Sequence, residues 1–238
     1  MQTEKALDGK VALVTGANRG IGLAIVRRLG ALGVSLSISA RDRNRLDAVA
    51  RELQSSTKVV AIPADLTRTN EIAMLVSKTE QALGPVDILV NNAGVGTFSP
   101  IQDAPQADWD TILDTNLKAV FLLTKAVAPG MIRRRSGHIV NIASLAGKNA
   151  FAGGAIYCAS KWGLLGLTQC AAEDLRAYGI RVSAICPGSV ATEFSPHGKK
   201  DPAKMLQPDD VAHALEMIVT QAPQSFISEI SLRPTQKP

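Results

Sequence analysis

Short aliphatic and β-branched runs alternate along this chain with longer stretches whose apolar positions return at helical spacing. Strands are predicted at 11–15, 35–40, 59–63, 88–91, 138–142, 181–186 and 229–233. Helices are predicted at 21–32, 43–54, 70–83, 109–134, 155–177 and 209–221, the last starting at Asp209 just after Pro208. The runs 88–90 and 139–142 are continuously apolar rather than alternating, as expected of strands covered on both faces. Strand–helix alternation over the whole length predicts stacked βαβ units. The fold class is therefore α/β: a single domain over 1–238 of the Rossmann type, with a doubly wound, seven-stranded parallel sheet flanked by helices. Ligands of such sheets bind beyond the carboxyl ends of the strands, where the strand order reverses, so the segments after each strand carry the chemistry.

After the first strand come Thr15, Gly16, Ala17, Asn18, Arg19, Gly20, Ile21 and Gly22, and then a helix. Glycines let the backbone turn tightly and approach a pyrophosphate, whose charge a helix N-terminus favours. The spacing is GxxxGxG rather than the usual GxGxxG. Where the second strand ends, a carboxylate would bind a ribose 2′-hydroxyl. This chain has Ala40 there, followed by Arg41. A guanidinium suits a 2′-phosphate, and Arg19 in the glycine loop can approach the same group, so NADP(H) is the expected cofactor. The alternative for both arginines is a solvated surface charge. Asp42 reads as a helix N-cap.

Ser144 follows the fifth strand, and Tyr157 and Lys161 stand four residues apart in the helix after it, on one face. A free tyrosine titrates near 10, too high for proton exchange at neutral pH. An ammonium about 4 Å away supplies roughly 4 kcal/mol at an effective dielectric of 20, enough to lower that value by two to three units. Tyr157 is thus expected to exchange a proton with a substrate oxygen that Ser144 also holds.

Composition narrows the class further. The 238 residues are 46% hydrophobic and 20% charged, ordinary for a globular protein, and no run is long and apolar enough to span a bilayer. The first ten residues are polar and do not resemble a signal peptide. Cys158, Cys170 and Cys186 form no metal-ligand spacing and suit a reducing cytoplasm, the expected location. A net charge of +5 with only 4% aromatics argues against a nucleic-acid partner.

The stretch Thr15 to Gly22, Asn91 to Gly94, Asn116, Ser144, Tyr157, Lys161 and Pro187-Gly188 together resemble the short-chain dehydrogenase/reductase family, over about residues 8–220. Within it, Thr15 to Gly22 and Gly137 to Gly147 look most like the 3-oxoacyl-[acyl-carrier-protein] reductases. The resemblance implies a catalytic tetrad of Asn116, Ser144, Tyr157 and Lys161. Tyr157 would be the general acid. Lys161 would lower its pKa and hold the nicotinamide ribose, Ser144 would orient the carbonyl, and Asn116 would hold a relay water. Asp65 and Leu66 match the adenine-binding position, and Asn92, Ala93 and Gly94 line the cofactor. Pro187, Gly188, Val190 and Thr192 match the loop flanking the nicotinamide. The resemblance also divides the domain into a Rossmann core at about 8–190 and a short substrate loop at about 190–207. It places Val95, Gly96, Ala146, Phe151, Ala152 and Phe194 around the substrate.

The implied activity is reversible, NADP(H)-dependent reduction of a small or aliphatic carbonyl compound, ketone or 3-oxoacyl, by a homo-oligomer, dimer or tetramer. The chain departs from the family where Glu229 to Pro234 stands in place of a final Asp-Gly-Gly, which puts the usual tetramer contacts in doubt. The short polar segment 193–206 predicts an open site. A non-catalytic NADP-binding sensor or scaffold is the competing reading, and it would tolerate loss of Tyr157 or Lys161. About 50 residues follow Pro187, too few for an epimerase's substrate domain. Arg133, Arg134 and Arg135 suit a helix C-terminus at the edge opposite the site. His138, His197 and His213 form no metal set, Cys158 faces away from the site, and Trp109 and Trp162 are read as packing residues.

Overall fold

The computed structural model describes residues 7–194 and 201–238. It contains strands β1 (Val11–Thr15), β2 (Ser35–Ser39), β3 (Val59–Ala61), β4 (Ile88–Asn91), β5 (Gly137–Ile142), β6 (Ile180–Pro187) and β7 (Glu229–Leu232). The helices are α1 (Gly20–Ala31), α2 (Arg43–Leu53), α3 (Thr69–Leu83), α4 (Gln106–Leu113), α5 (Ala119–Arg134), α6 (Ala155–Arg176) and α7 (Pro208–Val219). All seven strands join one sheet in the order β3-β2-β1-β4-β5-β6-β7, and every neighbouring pair is parallel. The chain leaves β1 in one direction for β2 and β3 and returns to its other side for β4, so the order reverses between β1 and β4. The carboxyl ends there open the crevice in which such folds bind ligands.

Side-chain alternation builds two cores from each strand. Ala12 and Val14 face α1, α2 and α7, while Leu13 faces α3, α5 and α6; Val90 and Leu89 divide in the same way on β4. The alternating serines of β2 are not a solvent face. Ser37 is fully buried, and its hydroxyl shares a 2.6 Å hydrogen bond with Thr79 on α3. Pairing the two hydroxyls removes the cost of burying either alone.

Element ends differ from the sequence prediction by one or two residues, with one informative exception. The single helix expected over 109–134 starts at Gln106 and passes through a π turn, Asp114–Lys118, that carries Asn116. Such single turns recur where a helix must re-aim a functional residue. α7 starts at Pro208 rather than Asp209, with Gln207 and Asp210 forming a capping box. Trp109 and Trp162 are not packing residues: they are 50% and 54% exposed on α4 and α6, which pack together, and Phe121 on α5 is 47% exposed. The arginine triplet behaves as a helix end. Arg134 donates to the Val86 carbonyl at 2.7 Å, and Arg135 adopts the left-handed cap conformation.

Candidate active site

The glycine loop is built by close approach between β1, β4 and α1. Gly16 and Gly20 hold φ of +65° and +53°, which side-chain-bearing residues rarely adopt. A Cβ on Gly22 would lie 2.1 Å from the Gly16 carbonyl oxygen, so α1 can begin this close to the loop only without one. The Asn92 amide donates to the carbonyls of Thr15 (2.9 Å) and Gly16 (3.1 Å), while the Thr15 hydroxyl accepts from Asn92 and Ala93 N–H at 3.1 Å each. The Asn92 side chain is therefore spent on holding the loop. No side chain caps α1, whose N-terminus faces the cleft lined by Gly16, Asn18, Arg19, Gly20 and Ile21.

One end of this cleft is cationic. Arg19, Arg41 and Arg45 all line it beside Ala40. Asp42 accepts from the Arg45 N–H at 3.0 Å as the α2 N-cap, as its sequence position predicted. Arg19 and Arg45 both reach Glu193, at 2.7 and 3.3 Å, and hold its carboxyl below the usual range, Arg19 most. Arg45 and Glu193 were not singled out in the sequence. The signal for Arg45 was its place one helical turn beyond Arg41; Glu193 lies 148 residues from it and offered none. Asp65 and Leu66 line the cleft as expected. The Asp65 carboxylate accepts from the Thr67 N–H and hydroxyl at 3.0 and 2.8 Å; these bonds, with Arg41 and Arg68 nearby, hold it low.

At the other end Ser144, Tyr157 and Lys161 converge. Lys161 is 5% exposed and donates to the Ile142 carbonyl at 2.9 Å; its ammonium lies 5.9 Å from the Tyr157 ring centre. Burial pushes the tyrosine up to about 12, outweighing the Ser144 hydroxyl, which favours the tyrosinate. Burial also pushes Lys161 down to about 8. The sequence expectation that Lys161 holds Tyr157 below 10 is thus reversed in the chain itself. Desolvation disfavours tyrosinate and ammonium alike, and the nearest partner of Lys161 is a carbonyl. Asn116 is buried with its side chain fully engaged: it donates to the Val95 carbonyl (2.9 Å) and the Ser160 hydroxyl (3.1 Å) and accepts from Val95 N–H (2.9 Å). That clamp fixes the strand exit beside Gly94, where a Cβ would lie 3.8 Å from the Lys161 ammonium.

Between these ends the cleft encloses about 1150 Å³. Ala93, Gly94, Pro187, Gly188, Val190 and Thr192 line it, as do Val95, Ala146, Phe151 and Phe194. Gly96 lies beneath Phe194 and Tyr157, whereas the exposed Ala152 is not part of the wall. Phe98 and the tail from Arg233 to Pro238 also line the cleft, and neither was foreseen. Tyr157 is only 8% exposed, with the half-exposed rings of Phe98 and Phe194 against its own. Residues 195–200 of the expected substrate loop, His197 among them, lie outside the described residues. Cys158 turns its thiol toward the Asn149 carbonyl, 3.8 Å away. No helix among the described residues is long and apolar enough to cross a membrane.

Similarity to known proteins runs along nearly the whole chain. An uncharacterised oxidoreductase of Staphylococcus saprophyticus is 36% identical over 230 residues, covering 96% of this chain and 98% of its own. A 3-oxoacyl-[acyl-carrier-protein] reductase of Synechocystis is 34% identical over 232 residues, with 94% of each chain covered. Among solved structures, a metagenomic short-chain oxidoreductase in complex with NADP is 46% identical with a TM-score of 0.87, covering 98% of this chain and 100% of that one. An alcohol dehydrogenase from the archaeon Thermococcus sibiricus, complexed with 5-hydroxy-NADP, is 28% identical with a TM-score of 0.88, over 96% and 98% of the two chains. The short chain dehydrogenase family model matches residues 10–203. With its glycine cradle at one end of the cleft and Ser144, Tyr157 and Lys161 at the other, the chain belongs to the short-chain dehydrogenase family of oxidoreductases.

Proposed function

We propose that this chain, acting as one domain over 1–238, is an NADP(H)-dependent carbonyl reductase, reversible as an alcohol dehydrogenase, with Tyr157 as proton donor. The observation that carries the reading is one continuous cleft joining a glycine cradle and three arginines to Ser144 and Tyr157. The residues fit the cofactor: Gly22 leaves the close approach a pyrophosphate needs, and Arg19, Arg41 and Arg45 suit a 2′-phosphate where no free carboxylate follows β2. The two solved relatives described above were obtained with NADP and a derivative of it, which supports the same choice. Bound there, NADPH supplies the hydride.

The chain's own groups supply the proton and the orientation. Ser144 and Tyr157 present adjacent hydroxyls that hold a carbonyl oxygen between them. Tyr157 stays protonated throughout the neutral range and donates its proton as negative charge develops on that oxygen. The tyrosinate left behind faces the Lys161 ammonium. Their attraction offsets part of the cost of burying both charges, with the ammonium 5.9 Å from the ring centre. It exists only once Tyr157 has given up its proton, so it favours the transition state over bound substrate. Lys161, brought down to about 8, can pass on a proton in turn. Asn116 holds Val95 and the wall opposite.

Tyr157→Phe tests the assignment. Turnover should fall at least about a hundredfold while NADPH affinity stays within about twofold, because the phenyl ring keeps the packing. Retained turnover would refute the role of Tyr157. The half-exposed Trp109, Phe121 and Trp162 support the expected homo-oligomer, whose mass light scattering reads directly.

A further inference from the structure

We propose that Phe98, Phe151 and Phe194 form a cage for an aromatic ring over Tyr157, and that the preferred substrates are aryl ketones. The inference rests on the carbonyl-reductase reading and deepens it. Aromatic residues make up 4% of the chain, yet three of its five phenylalanines stand here. They come from three different strand exits, after β4, β5 and β6.

Phe98 meets Phe151 at 5.8 Å between ring centres and Tyr157 at 5.6 Å; Phe194 meets Tyr157 at 5.8 Å. The interplanar angles are 51°, 77° and 49°, the tilted and edge-on arrangements that aromatic quadrupoles favour. Each phenylalanine lines the cleft and keeps 38–48% of its surface exposed, so the cluster has ring surface left for a further contact. The neighbouring wall is apolar, with Val95, Leu145, Ala146 and Met205, and the nearby Lys148 is paired with Glu229.

The backbone makes room for these rings at two glycines. A Cβ on Gly96 would lie 3.1 Å from both Phe194 Cζ and Tyr157 Cδ2, and 3.3 Å from Phe98 Cζ. A Cβ on Gly154 would lie 2.5 Å from Phe151 Cζ. The Ser99 N–H donates to the Gly153 carbonyl at 3.0 Å, which joins the loops that carry Phe98 and Phe151. The rings therefore form a linked row, Phe151, Phe98, Tyr157 and Phe194, and a planar substituent entering toward Tyr157 meets their exposed faces and edges. A flexible alkyl or thioester chain gains the same burial without the ring–ring contacts.

The test compares acetophenone with octan-2-one, its equal in carbon count, and with an acetoacetyl thioester, all reduced by NADPH. Two ring contacts of this kind predict about a tenfold advantage in kcat/KM for acetophenone. Phe98→Leu and Phe194→Leu, which keep apolar bulk and remove the ring, should each take away most of it. Calorimetric titration with acetophenone, which needs no turnover, should show the same loss. Equal kcat/KM for aryl and alkyl ketones, or a preference the leucine variants keep, would overturn the cage while leaving carbonyl reduction in place. Acetophenone binding that weakens in the leucine variants, with no ketone turned over, would support the cage and refute the reductase reading. Neither binding nor turnover would overturn both.

Discussion

Gly22→Ala measures how closely the glycine cradle is built. The added Cβ would sit 2.1 Å from the Gly16 carbonyl oxygen and 2.5 Å from the Asn92 amide nitrogen. Neither contact is compressible, so α1 and the loop must part by about 1 Å, and overpacking of this kind costs about 1–3 kcal/mol. The shift also disrupts the two hydrogen bonds from Asn92 to Thr15 and Gly16, at about 1 kcal/mol each. A total of about 3–5 kcal/mol should lower Tm by roughly 6–20 °C in a chain of this size. NADPH affinity, read by fluorescence titration, should fall at least about tenfold because the N–H groups of the cradle move with the loop. Gly166→Ala is the matched control: it lies on α6, and an added Cβ meets nothing within 4 Å. That substitution should raise stability by about 0.5–1 kcal/mol. If calorimetry gave the two variants the same Tm, or Gly22→Ala bound NADPH as the parent does, the steric reasoning would fail.

The remaining predictions concern charge. Arg45→Ala should weaken NADPH by about fivefold and leave NADH nearly unchanged, since one exposed guanidinium contributes about 1 kcal/mol to an anion. Glu193→Gln should tighten NADPH, because its carboxylate competes for Arg19 and Arg45; equal shifts for both cofactors would refute either assignment. His138 is buried in β5, where burial and then the Arg181 charge push it down to about 3 from an ordinary 6.5. Between those values the unfolded chain binds a proton that folded His138 refuses. Its contribution is therefore complete above pH 6.5 and is lost as pH falls, by up to about 1.4 kcal/mol per pH unit. Denaturant titrations from pH 6.5 to 4 should show a shallower slope for His138→Gln, and parallel curves would exclude the effect.

Local pattern was enough for much of this protein. The α/β alternation, the glycine loop between β1 and α1, and the four-residue spacing of Tyr157 and Lys161 all follow from residues near one another in the chain. Strand and helix periodicity, and the freedom of glycine, are short-range properties. The resemblance then assembled Asn116, Ser144 and Pro187 around them; Ser144 and Pro187 line the cleft, while Asn116 lies buried behind it and holds Val95 in its wall.

Tertiary structure decided the rest. The Glu193 bridge to Arg19 and Arg45, and the convergence of Phe98, Phe151 and Phe194, join segments that no local pattern connects. The exposure of Trp109 and Trp162 depends on which helix faces remain after the sheet is covered. Most instructive is the direction of the Tyr157 shift. Spacing in the sequence identified an ammonium near a phenol, and charge attraction alone would lower the tyrosine. Burial raises it to about 12 instead, because desolvation is set by everything that surrounds a group and not by its neighbour four residues away.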